Sequence, residues 1–178
     1  MSEPHVSETK SATTSRPGSA TEVATTVNGV AHRSWVANRT TLASFLRDGL
    51  TLTGTKVSCE LQVCGVCSVL VDGQPVSSCT YLAADVDGRT VETVEGLASG
   101  ERLHALQQAF VRNFALQCGF CTPGFLMMSK ALLERNPDPT EDEVREYLDG
   151  NICRCTGYQP IVAAVLEAAA EMRGGRSA

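Results

Sequence analysis

Eight cysteines hold most of the chemistry open to this chain. Two stand in Gln117-Cys118-Gly119-Phe120-Cys121-Thr122-Pro123-Gly124, separated by two residues, a spacing that lets both thiolates turn toward one metal centre. Cys153 and Cys155 follow in Asn151-Ile152-Cys153-Arg154-Cys155-Thr156-Gly157 with a single residue between them. Upstream, Cys59-x4-Cys64-x2-Cys67 is trailed after eleven more residues by Cys79. That is the plant-type [2Fe-2S] spacing, whose fourth ligand arrives from a later element. Four thiolates and two bridging sulfides concentrate negative charge, so such a loop must turn backbone N–H groups inward. Gly65 permits close approach, and Glu60 and Asp72 are expected to face solvent or stand as exceptions. Zinc prefers paired short spacings, so the upstream set favours iron–sulfur. The downstream spacing alone leaves iron–sulfur and zinc equally open. Disulfides are a third reading.

The elements that must position these cysteines fall into two groups. Thr25 to Val30 carries an Asn-Gly hairpin turn, with Trp35 and Val36 on the returning strand. Thr41 to Gly49 reads as a short helix with Leu42, Phe45 and Leu46 on one face. The cysteine loop from Val57 to Cys67 follows, then a hairpin around Asp72-Gly73, then an alternating strand from Arg89 to Val94. From Ser99 the apolar period becomes helical. Leu103, Leu106, Phe110 and Phe114 predict one buried face. A second helix begins at Pro123 and presents Phe125, Met128, Ser129, Leu132 and Leu133. Thr140-Glu141-Asp142-Glu143 is a capping box for a third, with Val144, Tyr147 and Leu148 inward. Pro160 to Met172 forms the fourth, burying Val162, Val165, Leu166 and Ala169. The expected fold is α+β: a small mixed unit, then a four-helix bundle whose junctions hold the downstream cysteines.

Composition narrows the function classes. A chain of 178 residues suits one domain or two small ones, and 43% hydrophobic residues with only 5% aromatics would give two thin cores in need of a staple. A net charge of -5 and a pI near 5.2 argue against nucleic acid, because no basic stripe is present to displace counterions. No apolar run approaches the ~20 residues that a bilayer requires. Residues 1–22, rich in Ser, Thr, Glu and Pro, read as a disordered tail lacking the apolar middle of a secretory signal. The expected location is therefore cytoplasmic, where structural disulfides are rare. His5, His32 and His104 are not expected to bind metal. Trp35 reads as a side chain at or near the core, Met127 and Met128 as packing residues. Arg154, between two ligands, could raise a cluster's potential or meet a partner's acidic group.

Three motifs in one order, Cys59-Glu60-Leu61-Gln62-Val63-Cys64-Gly65-Val66-Cys67, Gln117 to Gly124, and Gly150-Asn151-Ile152-Cys153-Arg154-Cys155-Thr156-Gly157-Tyr158, closely resemble the small iron–sulfur subunit of the molybdenum hydroxylases, the xanthine oxidase family. The likeness runs from about Thr25 to Met172. It implies a β-grasp ferredoxin domain over 23–97, with Cys59, Cys64, Cys67 and Cys79 on one [2Fe-2S] cluster. It implies a four-helix-bundle domain over 98–174, with Cys118, Cys121, Cys153 and Cys155 on a second. Gln117 and Cys155 match family positions that touch the pterin. Expected partners are a large molybdopterin-binding subunit and a medium FAD-binding subunit, whether or not the heterotrimer is doubled. The chain would be the electron-transfer subunit of an oxidoreductase, with no catalytic acid, base or nucleophile of its own. Carbon monoxide, an aldehyde, a purine and another N-heterocycle remain open as substrates. Two departures stand beside the cysteines: Ser58 where many relatives have glycine, and Val66 where alanine is common. A zinc-binding module and an independent two-cluster ferredoxin are the rival readings.

Overall fold

The computed structural model describes residues 18–175; His5 and most of the expected tail lie outside them. Asn28 and Gly29, at φ 49° and 81°, make the two-residue turn that their types favour. The hairpin is longer than the sequence suggests, pairing β1 (Ala20–Val27) with β2 (Val30–Ala37) along their whole lengths. Asp72-Gly73 likewise joins β3 (Ser68–Val71) to β4 (Gln74–Ser77). The last strand, β5, is only Thr90–Glu92. It stops early because the Thr93 N–H donates to the Asn28 side chain at 2.8 Å rather than to a neighbouring strand. The five strands lie in the order β2-β1-β5-β3-β4, and β5 runs parallel to β1 but antiparallel to β3. The helix α1 (Leu42–Ser44), capped by Thr41, opens into a wider turn over Phe45–Gly49. It covers one sheet face with Leu42, Phe45 and Leu46 against Val23, Val27, Val69 and Val91.

The second half is built from α2 (Ala105–Arg112), α3 (Thr122–Arg135), α4 (Glu141–Leu148) and α5 (Gln159–Gly174). Thr140 and Glu143 form the expected capping box, each serving the other's backbone N–H. Helix α3 buries residues around most of its circumference. It has two neighbours to satisfy: the other helices, and the sheet face opposite α1. Strand β3 is therefore buried on both sides, with Leu70 in the helical core while Val69 and Val71 lie in the first. Lys130 of α3 ties the halves electrostatically, 3.0 Å from Glu92 of β5. Among the described residues no helix is long and apolar enough to cross a membrane.

Three expectations are corrected. Leu103 and Phe114 do not share the buried face of α2; they are 45% and 82% exposed, while Leu106 and Phe110 are buried. Leu103 precedes the helix, which His104 caps through its Nδ1, accepting from Leu106 N–H. Beyond Arg112, the Asn113 amide donates to the Ala109 carbonyl and Phe114 turns left-handed at φ 52°, so the helical register is lost before it. Trp35, on edge strand β2, is 47% exposed rather than in or beside the core. Phe110→Ala should cost about 3–5 kcal/mol in urea unfolding, because it empties a closed site. Phe114→Ala in the same isolated chain should change stability by no more than about 0.5 kcal/mol. A small effect at Phe110 would displace it from the core.

Candidate metal centres

All eight cysteines are free thiols, and the fold gathers them in two sets of four. In the upstream set the loop between α1 and β3 brings Cys59 beside Cys64, and the Cys67 thiol lies within hydrogen-bonding reach of Cys79, which follows β4. In the downstream set Cys118 and Cys155 have their sulfurs 3.7 Å apart, and Cys121, at the start of α3, meets Cys153. In the downstream set the pairing therefore runs between motifs: each sequence pair contributes one thiol to each spatial pair, which spacing alone did not reveal, whereas Cys59 and Cys64 pair within one motif. Each set also has an inner and an outer pair. Cys67, Cys79, Cys121 and Cys153 are buried, Cys59 and Cys64 are half-exposed, and Cys118 and Cys155 are exposed.

The electrostatics follow that division. Backbone N–H groups of Leu61, Val63 and Cys64 point at the Cys59 sulfur and hold its thiol down at about 6. Leu61 N–H lies 3.4 Å from it. Burial pushes Cys67 up to about 11 and Cys121 up to about 12, with the neighbouring thiols adding to the rise. Burial works against Cys153 too, but the Thr156 hydroxyl at 3.1 Å and the N–H groups of Cys155 and Thr156 bring it below its usual range. The Cys118 thiol beside Cys155 pushes that group up. Buried thiols held this high ionise when a metal supplies the opposing charge.

The donor set fits a two-metal cluster. Among the described residues no three His, Cys, Asp or Glu side chains are gathered as ligands of one metal ion would be. Each set is instead a pair of pairs, and four thiolates divided between two irons is the [2Fe-2S] requirement. Thr122, next to Cys121 in sequence, keeps a buried hydroxyl with no hydrogen-bond partner among the described residues, as do Thr55 and Ser129. Glu60 and Asp72 both face solvent, and Asp72 is occupied by the Thr90 N–H and hydroxyl. Gly65, at φ 68°, is needed for a different close approach from the expected one: its Cα faces the Gly150 carbonyl and Asn151. Val66 packs into the helical core and Ser58 is exposed. Gln117 and Arg154 are exposed on either side of the Cys118–Cys155 pair in sequence. Phe114, Leu116, Phe120 and Ile152 are large apolar side chains left exposed near the same cysteines in sequence; Leu61 and Val63 do likewise between Cys59 and Cys64. The sequence reading missed these exposed residues because it assigned Phe114 to a core and gave the others no role.

The chain is similar to known proteins along most of its length. Residues 25–98 match the family described as 2Fe-2S iron-sulfur cluster binding domain, and residues 93–166 that described as [2Fe-2S] binding domain. The chain is 54% identical over 156 residues to the nicotine 6-hydroxylase small subunit of Paenarthrobacter nicotinovorans, covering 88% of this chain and 94% of that one. It is 51% identical over 146 residues to caffeine dehydrogenase subunit gamma of a Pseudomonas species, covering 80% and 87%. Quinoline 2-oxidoreductase from Pseudomonas putida superposes with a TM-score of 0.85 at 47% identity, over 89% of this chain and 99% of that chain. Aldehyde oxidoreductase from Desulfovibrio desulfuricans gives 0.84 at 44% identity, over 86% of this chain but 17% of that longer polypeptide.

Proposed function

The chain belongs to the small iron–sulfur subunits of the molybdenum hydroxylases, and from that premise we propose which residues carry its electron-transfer role and toward which partners. Cys59, Cys64, Cys67 and Cys79 hold one [2Fe-2S] cluster, and Cys118, Cys121, Cys153 and Cys155 hold the other. A bound cluster of this kind accepts and releases single electrons. The rest is the protein's contribution: it supplies thiolates in pairs, aims N–H groups at Cys59 and Cys153, and buries one pair of each set. The observation that carries this reading is the sorting of eight free thiols into two sets, each divided into two neighbouring pairs.

The domains divide near Leu97, into a β-grasp ferredoxin domain over 23–97 and a four-helix-bundle domain over 98–174. The mixed sheet with its parallel β1–β5 pairing and the two separate hydrophobic clusters support that division. The bundle's exposed Cys118–Cys155 pair faces a large subunit carrying a molybdopterin cofactor, with Gln117 and Cys155 against the pterin. Phe114, Leu116, Phe120 and Ile152 form part of that interface, since exposed apolar patches of this kind mark interaction sites. The half-exposed Cys59–Cys64 pair, with Leu61 and Val63, faces a medium subunit carrying FAD. Electrons pass from the molybdenum site through the bundle set and then the sheet set to the flavin. Eight unpaired thiols accord with the cytoplasm.

Metal analysis of the purified chain tests the assignment. About four iron atoms and about four acid-labile sulfides per chain support it, and zinc alone overturns it. Purification without flavin- and molybdenum-containing partners would instead favour an independent ferredoxin. Gln117→Ala should leave both clusters in place yet slow reduction of the flavin by substrate. An unchanged rate would remove Gln117 from the pterin contact.

A further inference from the structure

Two loops from opposite halves of the molecule touch at a point lying between the cysteine sets. Asn151, 2% exposed, sits in the link between α4 and α5, two residues before Cys153. Its side-chain amide donates to the Gly65 carbonyl at 3.0 Å. The following N–H, of Ile152, donates to the Cys64 carbonyl at 2.9 Å. One hydrogen bond therefore separates the backbone of a cysteine in the upstream set from the residue adjoining a cysteine in the downstream set. The Gly65 carbonyl is further fixed by the Ser68 N–H at 3.1 Å and the Ser68 hydroxyl at 2.7 Å.

Two glycines allow this approach. A Cβ on Gly65 would lie 2.6 Å from the Gly150 carbonyl oxygen and 2.7 Å from Asn151 Cγ. One on Gly124, three residues after Cys121, would lie 2.5 Å from the Gly65 carbonyl oxygen and 3.2 Å from Asn151 Nδ2. Backbone segments bearing Cys64, Cys121 and Cys153 thus converge around the amide of Asn151. A buried asparagine can be merely a satisfied polar group. Here, however, the halves are already joined by Val66 and Leu70 in the helical core and by the Lys130–Glu92 pair. What Asn151 adds is a fixed distance between the two loops that carry thiols.

We infer that Asn151 is a positioning residue: it sets the separation and orientation of the two cysteine sets, and through them the coupling between their clusters. The inference rests on the cluster assignment above. The step it controls moves one electron from a reduced cluster to an oxidised one and makes or breaks no bond.

Asn151→Ala and, separately, Gly124→Ala in the full cluster-loaded chain test it. The first removes the amide donor. The second pushes a methyl group at the Gly65 carbonyl while adding a good helix former to α3. Both variants should retain the iron and sulfide of the parent. The magnetic splitting between the two reduced clusters in low-temperature paramagnetic resonance should change. Transfer between clusters after rapid single-electron reduction should slow by roughly tenfold, the lower end of what outer-shell partners of a metal site contribute. A lowered melting temperature with splitting and rate unchanged in both variants overturns the inference, because Asn151 is then only structural. Loss of a cluster in both overturns it as well, since ligation rather than spacing would be at stake. A parent chain without iron and sulfide defeats the cluster assignment itself.

Discussion

Cys155→Ala loses the cluster of the helical half and keeps that of the sheet half. Cys155 stands 3.7 Å from Cys118 as the outer pair of its set; on the proposed assignment the two would hold one iron, which the substitution would leave with a single protein thiolate. No neighbouring His, Asp or Glu among the described residues is gathered with these cysteines to replace it. From this loop the upstream segment takes the Ile152 N–H at the Cys64 carbonyl and the Asn151 amide at the Gly65 carbonyl, and the substitution touches neither residue. Iron content should fall from about four to about two per chain. Low-temperature paramagnetic resonance of the reduced protein should show one cluster signal, and reduction of flavin by substrate should slow severely. Cys118→Ala should reproduce the result, being the other half of the pair. Two undisturbed signals in either variant would refute the division of ligands.

Removing the iron altogether should have a larger effect on the loops than on the secondary structure around them. Segment 57–64 makes few hydrogen bonds of its own: the N–H groups of Leu61, Val63 and Cys64 reach the Cys59 sulfur, the Thr80 hydroxyl donates to the Gln62 amide oxygen, and the Ile152 N–H donates to the Cys64 carbonyl. Glu60 and Gln62 both sit left-handed, at φ 55° and 59°. Such residues cost on the order of 1–3 kcal/mol each and persist only where their surroundings impose them. Four cysteines held on one cluster would impose them more firmly than four free thiols, two of them buried. After anaerobic chelation, the amides of 57–64 and 151–158 should exchange with solvent much faster, while the β1–β2 hairpin and α5 keep their protection. Each kcal/mol lost shifts the midpoint by about 2–4 °C at this size, so the melting temperature should fall by about 10 °C or more. Equal exchange and equal melting with and without iron would show that the loops hold themselves.

Much of the architecture was legible because local rules and global packing agree. Asn28-Gly29 and Asp72-Gly73 turn as their backbone freedom permits, Thr140 and Glu143 cap as their side chains allow, and Pro123 falls in the first turn of α3. The failures share a cause. Leu103 and Phe114 fit the period of α2 on paper, but a period does not say where a helix stops. The His104 cap and the Asn113 amide bound to Ala109 end it inside the apolar pattern. Strand β5 was expected to run to Val94, and a side chain far away in sequence, Asn28, took the N–H that would have extended it.

The sequence by itself placed eight thiols in motifs whose spacing restricts what each short loop can gather, and three of those motifs in one order carry the likeness to the iron–sulfur family. It also determined the order of the elements that carry them. Only the tertiary structure decided which sulfurs stand together, Cys118 with Cys155 and Cys121 with Cys153, since pairing across motifs depends on how the four helices pack rather than on residues along the chain. It alone placed Asn151 against Gly65, a contact between residues 86 positions apart. Spacing fixes what can bind; packing fixes how far apart the bound groups lie, and the passage of an electron depends on that distance.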